Sequence, residues 1–144
     1  MGTCVDLFIE YDDQARDNVR PFGSDIDGVI DFTKCGNITH GKPYEFIGAI
    51  SGIRSKDAKP PLIPCRGMPE NVNWKIKEYV EKYYGMDWKL AGWLRYSELT
   101  ECLKFSEFDP SSVDYAVVLV IELMEKLASK FGDDCVRLIF LVDG

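Results

Sequence analysis

The chain has 144 residues, of which 46% are hydrophobic and 28% charged; that is the make-up of one folded domain with a core of its own, and it excludes a disordered chain. A formal charge of −7 speaks against a protein that grips a nucleic-acid backbone, which needs a basic face to displace counterions, and leaves any anionic ligand to be captured at short range by arginines and backbone amides. No run approaches the roughly 18 apolar residues of a membrane-crossing helix, and the five cysteines, Cys4, Cys35, Cys65, Cys102 and Cys135, form no C-x-x-C pair and follow no signal peptide, so reduced thiols in a cytoplasmic protein are expected.

Residues 1–144 read as one globular domain. Cys4 to Tyr11 predicts a first strand, with Val5, Leu7, Ile9 and Tyr11 on one side and Asp6 and Glu10 on a wetter one. Residues 12–43 are rich in Asp, Asn, Gly and Lys and read as a long loop or β-excursion, with Gly28 to Phe32 as a short strand inside it. Pro43 then opens a helix from Tyr44 to Arg54, in which Gly48 and Gly52 fall four apart. Each glycine costs up to about 1 kcal/mol of helix stability, so a close approach by another backbone is expected there.

The next stretch, Pro64-Cys65-Arg66-Gly67-Met68-Pro69, places two prolines around a glycine. Prolines lock φ and Gly67 permits a left-handed turn, so Arg66 is presented from a stiff frame. Asn71 or Asn73 can cap a helix carrying Ile76, Tyr79, Val80 and Tyr83, with Gly85 as its stop. Trp93-Leu94 precede a short helix from Ser97 to Leu103, with Glu98 in its first turn, where a carboxylate suits the helix dipole. Val113 to Phe131 has the longest helical periodicity and stops at Gly132; Cys135 to Val142 is an almost unbroken apolar run, the pattern of a central strand covered on both faces. Cys4, Cys102 and Cys135 sit in apolar patterns and are expected in the core. The expected fold is α+β, or α/β if the two terminal strands run parallel: a small sheet containing both of them, packed with three to four helices.

Four pieces carry a resemblance: Cys4-Val5-Asp6-Leu7, the aromatic-led helix from Tyr44 ending in Ile53-Arg54, the Pro64 to Pro69 loop, and Trp93-Leu94-Arg95-Tyr96-Ser97-Glu98-Leu99, with Arg137 to Asp143 as a closing strand. Together they resemble a family of small phage and bacterial proteins with the patterns C-V-D-L, V-R, P-R-G-L-P and W-L-T-x-x-E-L. The chain departs from that pattern at Lys89-Leu90-Ala91-Gly92, where the family carries His-x-His-Ser, and at Cys65 and Met68 in the loop. The resemblance implies a phage-like origin and a shared pocket; no histidine role transfers.

Catalytic constellations are sparse. Asp25-Ile26-Asp27-Gly28 looks like the D-x-D-G loop of haloacid-dehalogenase-type phosphatases, but it follows a turn rather than a buried strand, and Gly132-Asp133-Asp134 lies where a helix stop would. His40 is the sole histidine, so Cys65 with His40 would be a minimal nucleophile and base, in a polar turn. No metal set, phosphate loop or dinucleotide fingerprint is present, and no cofactor is expected. What remains is a binding set: Arg54 and Arg66 as forked donors, Tyr44 and Trp93 as stacking surfaces, Glu98 as acceptor. The structural alternative is that Arg66 pairs with Glu98 and that Trp93 is a core residue. The favoured expectation is a non-enzymatic protein enclosing a small anionic or nucleotide-derived ligand, sequestering a host immune signal. The alternatives are a module that inhibits a host protein and a small phosphohydrolase using Asp25 and Asp27. No nucleic-acid or membrane partner is expected, and homo-oligomerisation is left open.

Overall fold

The computed structural model describes residues 4–11, 28–31, 44–53, 55, 59–70, 72–84, 90–109, 111 and 115–143. Four strands form one antiparallel sheet: β1 (Cys4–Tyr11), β2 (Gly28–Asp31), β3 (Leu90–Arg95) and β4 (Val136–Asp143), in the order β2-β1-β4-β3. The helices are α1 (Tyr44–Ser51), α2 (Trp74–Tyr79), which continues as a π-helical turn (Val80–Tyr84), α3 (Tyr96–Phe105) and α4 (Tyr115–Phe131). The fold is α+β, because the first and last strands pair antiparallel along their whole length, from Cys4 opposite Asp143 to Tyr11 opposite Val136.

β4 is central, and Val136 to Val142 are all buried, as its unbroken apolar run predicts. Strand alternation divides the core in two. On the broad face, Val5, Leu7 and Ile9 of β1 with Leu138, Phe140 and Val142 of β4 meet α1, α3 and α4 through Phe46, Ile50, Leu99, Val120 and Met124. On the narrow face, Phe8, Ile139, Leu141 and Ala91 meet Val72 and Ile76 at α2.

The narrow face corrects the expectation of a wetter side on β1. Glu10 is fully buried, since α2 covers it and two groups compensate its charge. The guanidinium of Arg137 donates to Oε1, and the backbone N–H of Asn73 donates to Oε2 at 2.6 Å. Burial raises the Glu10 carboxyl above its ordinary range, and Arg137 opposes that shift.

β3 is a strand that the sequence did not announce. Leu-Ala-Gly-Trp-Leu-Arg lacks β-branched residues, and it pairs because Gly92 lies opposite Phe140. A Cβ on Gly92 would stand 2.4 Å from the Phe140 ring, so the ring occupies the missing side chain's place.

Of the two glycines expected inside the first helix, Gly48 behaves as expected and Gly52 instead ends the helix. A Cβ on Gly48 would meet the Ser55 Cα at 2.8 Å, which identifies the close backbone neighbour. Gly52 has φ +80 and ends α1, its N–H donating to the Gly48 carbonyl at 2.9 Å, so the helix stops short of Arg54. Gly132, at φ +101, ends α4 in the same way. Cys102 is buried and Cys135 half-buried.

Candidate functional site

The Pro64 to Pro69 loop is a strap over the exposed edge of β3. The Gly67 N–H donates to the Ala91 carbonyl at 3.1 Å, and Gly67 sits at φ +77, the left-handed turn that its position requires. Ile63 and Cys65 pack against the broad-face core and Met68 against the narrow one, so the strap crosses from one face to the other around the strand. An open edge invites pairing with another chain; this one is closed by proline-rich backbone.

Arg66 stands on that strap with both terminal nitrogens bonded. Its Nη1 donates to Glu98 Oε1 at 2.8 Å and its Nη2 to Glu98 Oε2, the fork-to-fork arrangement of a strong charge-assisted pair. Its guanidinium carbon lies 4.3 Å from the centre of the Trp93 ring. Glu98 also accepts the Arg95 N–H at 3.0 Å, which closes the start of α3. The Arg66 pairing holds the Glu98 carboxyl below its ordinary range and raises the guanidinium above its own. Trp93 is the hub: the guanidiniums of Arg137 and Arg95 lie 5.8 and 6.0 Å from its ring.

The structure therefore brings Arg66, Trp93 and Glu98 together. It does not bring Tyr44 to them: Tyr44 opens α1 and packs on the broad-face core, whereas Trp93 packs on the narrow one. Arg54, Asp25, Asp27 and His40 lie outside the described residues. Cys65 packs with its Sγ 3.9 Å from the Ser51 carbonyl, and burial pushes its thiol up, the opposite of an activated nucleophile. Asp133 caps α3, accepting the Ser97 N–H at 2.8 Å and the Ser97 hydroxyl at 2.7 Å.

Tyr44 lines a groove of about 350 Å³ between the start of α1, the residues around Lys59 and the end of α3. Tyr44, Gly48, Ala49, Pro60 and Phe108 line it together with Glu45, Ser55, Lys59, Ser106 and Glu107. Its volume falls within the range of small-molecule sites, and about half of its lining is polar. Lys59 Nζ donates to the Phe105 carbonyl at 2.7 Å and lies 4.0 Å from the Phe105 ring centre, an ammonium at the groove with donors left to offer.

Glu107 is the unusual member. α3 ends in a Schellman turn: the Phe108 N–H donates to the Leu103 carbonyl at 3.0 Å and the Glu107 N–H to the Lys104 carbonyl at 3.1 Å. The left-handed position of that turn normally belongs to glycine, yet Glu107 occupies it at φ 54, at a cost of about 1 kcal/mol. Sequence reasoning missed Lys59, Ser106, Glu107 and Phe108. The available signal was Ser106-Glu107-Phe108-Asp109, a helix stop without a glycine, and it is legible only once the end of α3 is known.

Comparison with known proteins finds no family model, no curated relative and no solved structure that matches the chain. Among the described residues, no helix is long and apolar enough to cross a membrane.

Proposed function

We propose that the protein is a non-enzymatic binding protein that encloses a nucleotide-derived ligand in the Tyr44 groove, and that its role is to hold a host signalling nucleotide out of circulation. The observation that carries this reading is Glu107: a carboxylate kept at the lip of a ring-lined groove by a backbone conformation that glycine would adopt at lower cost. Strain retained at a concave site is a signature of function over stability. A carboxylate accepts two adjacent N–H donors, the pattern on the Watson–Crick edge of guanine, while Tyr44 and Phe108 offer faces for the base. The phosphate would lie at Lys59, a local capture that works against the protein's negative field only at short range. The role of sequestration is an analogy with phage proteins of this size. Arg66 is not assigned to the ligand, because its fork is filled by Glu98.

The test is a thermal-shift and calorimetric panel of AMP, GMP, CMP and UMP. GMP is expected to raise Tm by several degrees, since ligand at about 100 times its Kd adds roughly 2.7 kcal/mol. Tyr44→Ala should weaken GMP at least about tenfold, Arg66→Ala should leave it unchanged, and GMP should be recovered chemically intact. Absence of any shift with all four nucleotides at about 1 mM, where a Kd weaker than about 4 kcal/mol of binding is the only escape, overturns the reading.

A further inference from the structure

The side of the Tyr44 groove that carries Lys59 has no helix or strand of its own at Ser55 or from Lys59 to Pro61, yet it is anchored to α1 at both ends. A Cβ on Gly48 would stand 2.8 Å from the Ser55 Cα, so the backbone at Ser55 rests directly on the helix. The Ser55 hydroxyl then donates to the Lys59 carbonyl at 2.6 Å, four positions on. Beyond Lys59 the chain runs into Pro60 and Pro61, whose rings lock φ, and a Cβ on Gly52 would stand 2.6 Å from Pro61 Cδ. Lys59 is thus seated against α1 from both directions along the chain, through Ser55 and through Pro61.

From that anchored backbone the Lys59 side chain reaches the end of α3. Its ammonium donates to the Phe105 carbonyl at 2.7 Å and lies 4.0 Å from the Phe105 ring centre, at the last turn of the helix, where open carbonyls and the helix dipole favour a cation. A lysine free to sample its rotamers must be ordered before it can hold an anion, and that ordering subtracts from affinity. The bond from Ser55 holds the Lys59–Pro60 peptide plane, and with it the direction in which the side chain starts out.

We infer that Ser55 is a positioning residue for the ligand's phosphate and that it acts through Lys59: its hydroxyl holds the Lys59 backbone where the ammonium reaches both the end of α3 and the groove. This rests on the reading of the Tyr44 groove as a nucleotide site with the phosphate at Lys59, and it adds what keeps that ammonium in place before the ligand arrives.

Calorimetry with GMP and with guanosine, which differ by the phosphate, tests the inference on the full chain through the ratio of the two affinities. In the unaltered protein GMP is expected to bind about tenfold tighter than guanosine, and Lys59→Ala should reduce that advantage to about twofold. Ser55→Ala keeps the Cβ that rests on α1 and deletes the hydroxyl alone, so it should reduce the advantage to about fourfold. The double variant should stay at about twofold, because the effect of Ser55 runs through the lysine. If Ser55→Ala weakens both ligands in equal proportion, or changes neither, the inference is overturned. It is equally overturned if the double variant falls to parity, since Ser55 would then act on the phosphate by its own contact. If GMP binds no tighter than guanosine to the unaltered protein, the inference falls while the groove remains a nucleoside site; if neither ligand binds, the nucleotide reading falls with it.

Discussion

The two faces of the sheet are held by different physics. The broad face is covered by three helices and is apolar throughout, so its stability comes from area removed from water. The narrow face is covered by the six residues of α2, the π-helical turn after it and the strap, and its core is small. What completes it is charge: Glu10 with Arg137 beneath the start of α2, and Arg66 with Glu98 at the edge. A short helix brings too little apolar surface to dock by itself, and the Glu10 carboxylate that accepts the Asn73 N–H fixes its start, while Arg66 ties the strap to Glu98 of α3.

The largest effect expected is at the buried pair. Arg137→Met leaves the Glu10 carboxylate without its partner and should cost about 3–5 kcal/mol, whereas Glu10→Leu combined with Arg137→Met should cost less than either single change. Denaturant titration of the four proteins gives the cycle; a double variant as unstable as the sum of the singles would show that the two groups are not coupled and would break the comparison. Next come two neighbours on β4, Leu138 and Ile139, both fully buried but on opposite faces. Leu138→Ala should cost about 4 kcal/mol and Ile139→Ala about 2 to 3, because a short helix settles into a cavity more readily than three long ones do. Equal losses, measured by chemical unfolding, would mean that the narrow layer is as stiff as the broad one.

At the rim of the broad face, Glu107→Gly should raise stability by about 1 kcal/mol, since glycine adopts the left-handed position without penalty, and should abolish nucleotide binding in the same protein. Smallest is the edge pair. Glu98 titrates below its ordinary range in the folded protein, so its contribution is present above about pH 4.3 and is lost as pH falls through the depressed folded value. The pair is partly exposed, which screens it to about 1 kcal/mol or less. The Tm difference between the protein and Glu98→Gln, followed from pH 7 downward, should therefore persist through the ordinary glutamate range and close only below it.

The broad face was largely legible in the sequence. Helical spacing in Tyr115 to Phe131 and the apolar run of β4 each have one solution, and Gly48, Gly67 and Gly132 mark a close approach and two turns before any coordinates are known. The narrow face was not. Glu10 alternates with apolar neighbours and therefore reads as solvated; its pairing with Arg137, 127 positions away, and with the Asn73 N–H compensates its burial. β3 was hidden for a related reason: its Gly92 and Ala91 score poorly as strand residues, and the Phe140 ring that compensates them lies on another strand. Of the site residues, Arg66, Glu98 and Trp93 converge as a structural clamp, while the groove draws on Tyr44 together with a turn whose geometry depends on where α3 stops.

The pairing of β1 with β4 has a consequence for biosynthesis. The second strand to be synthesised at the sheet's centre is also the last described segment of the chain, so residues 4–11, which pair with β2 only from Phe8 to Tyr11, must wait for residues 136–143 to leave the ribosome before their other edge finds its partner. Until then, Leu7, Phe8 and Ile9 are exposed on a nascent polypeptide with an unpaired edge, which makes this a slow-closing topology whose yield in cells should depend on chaperones that shield such segments.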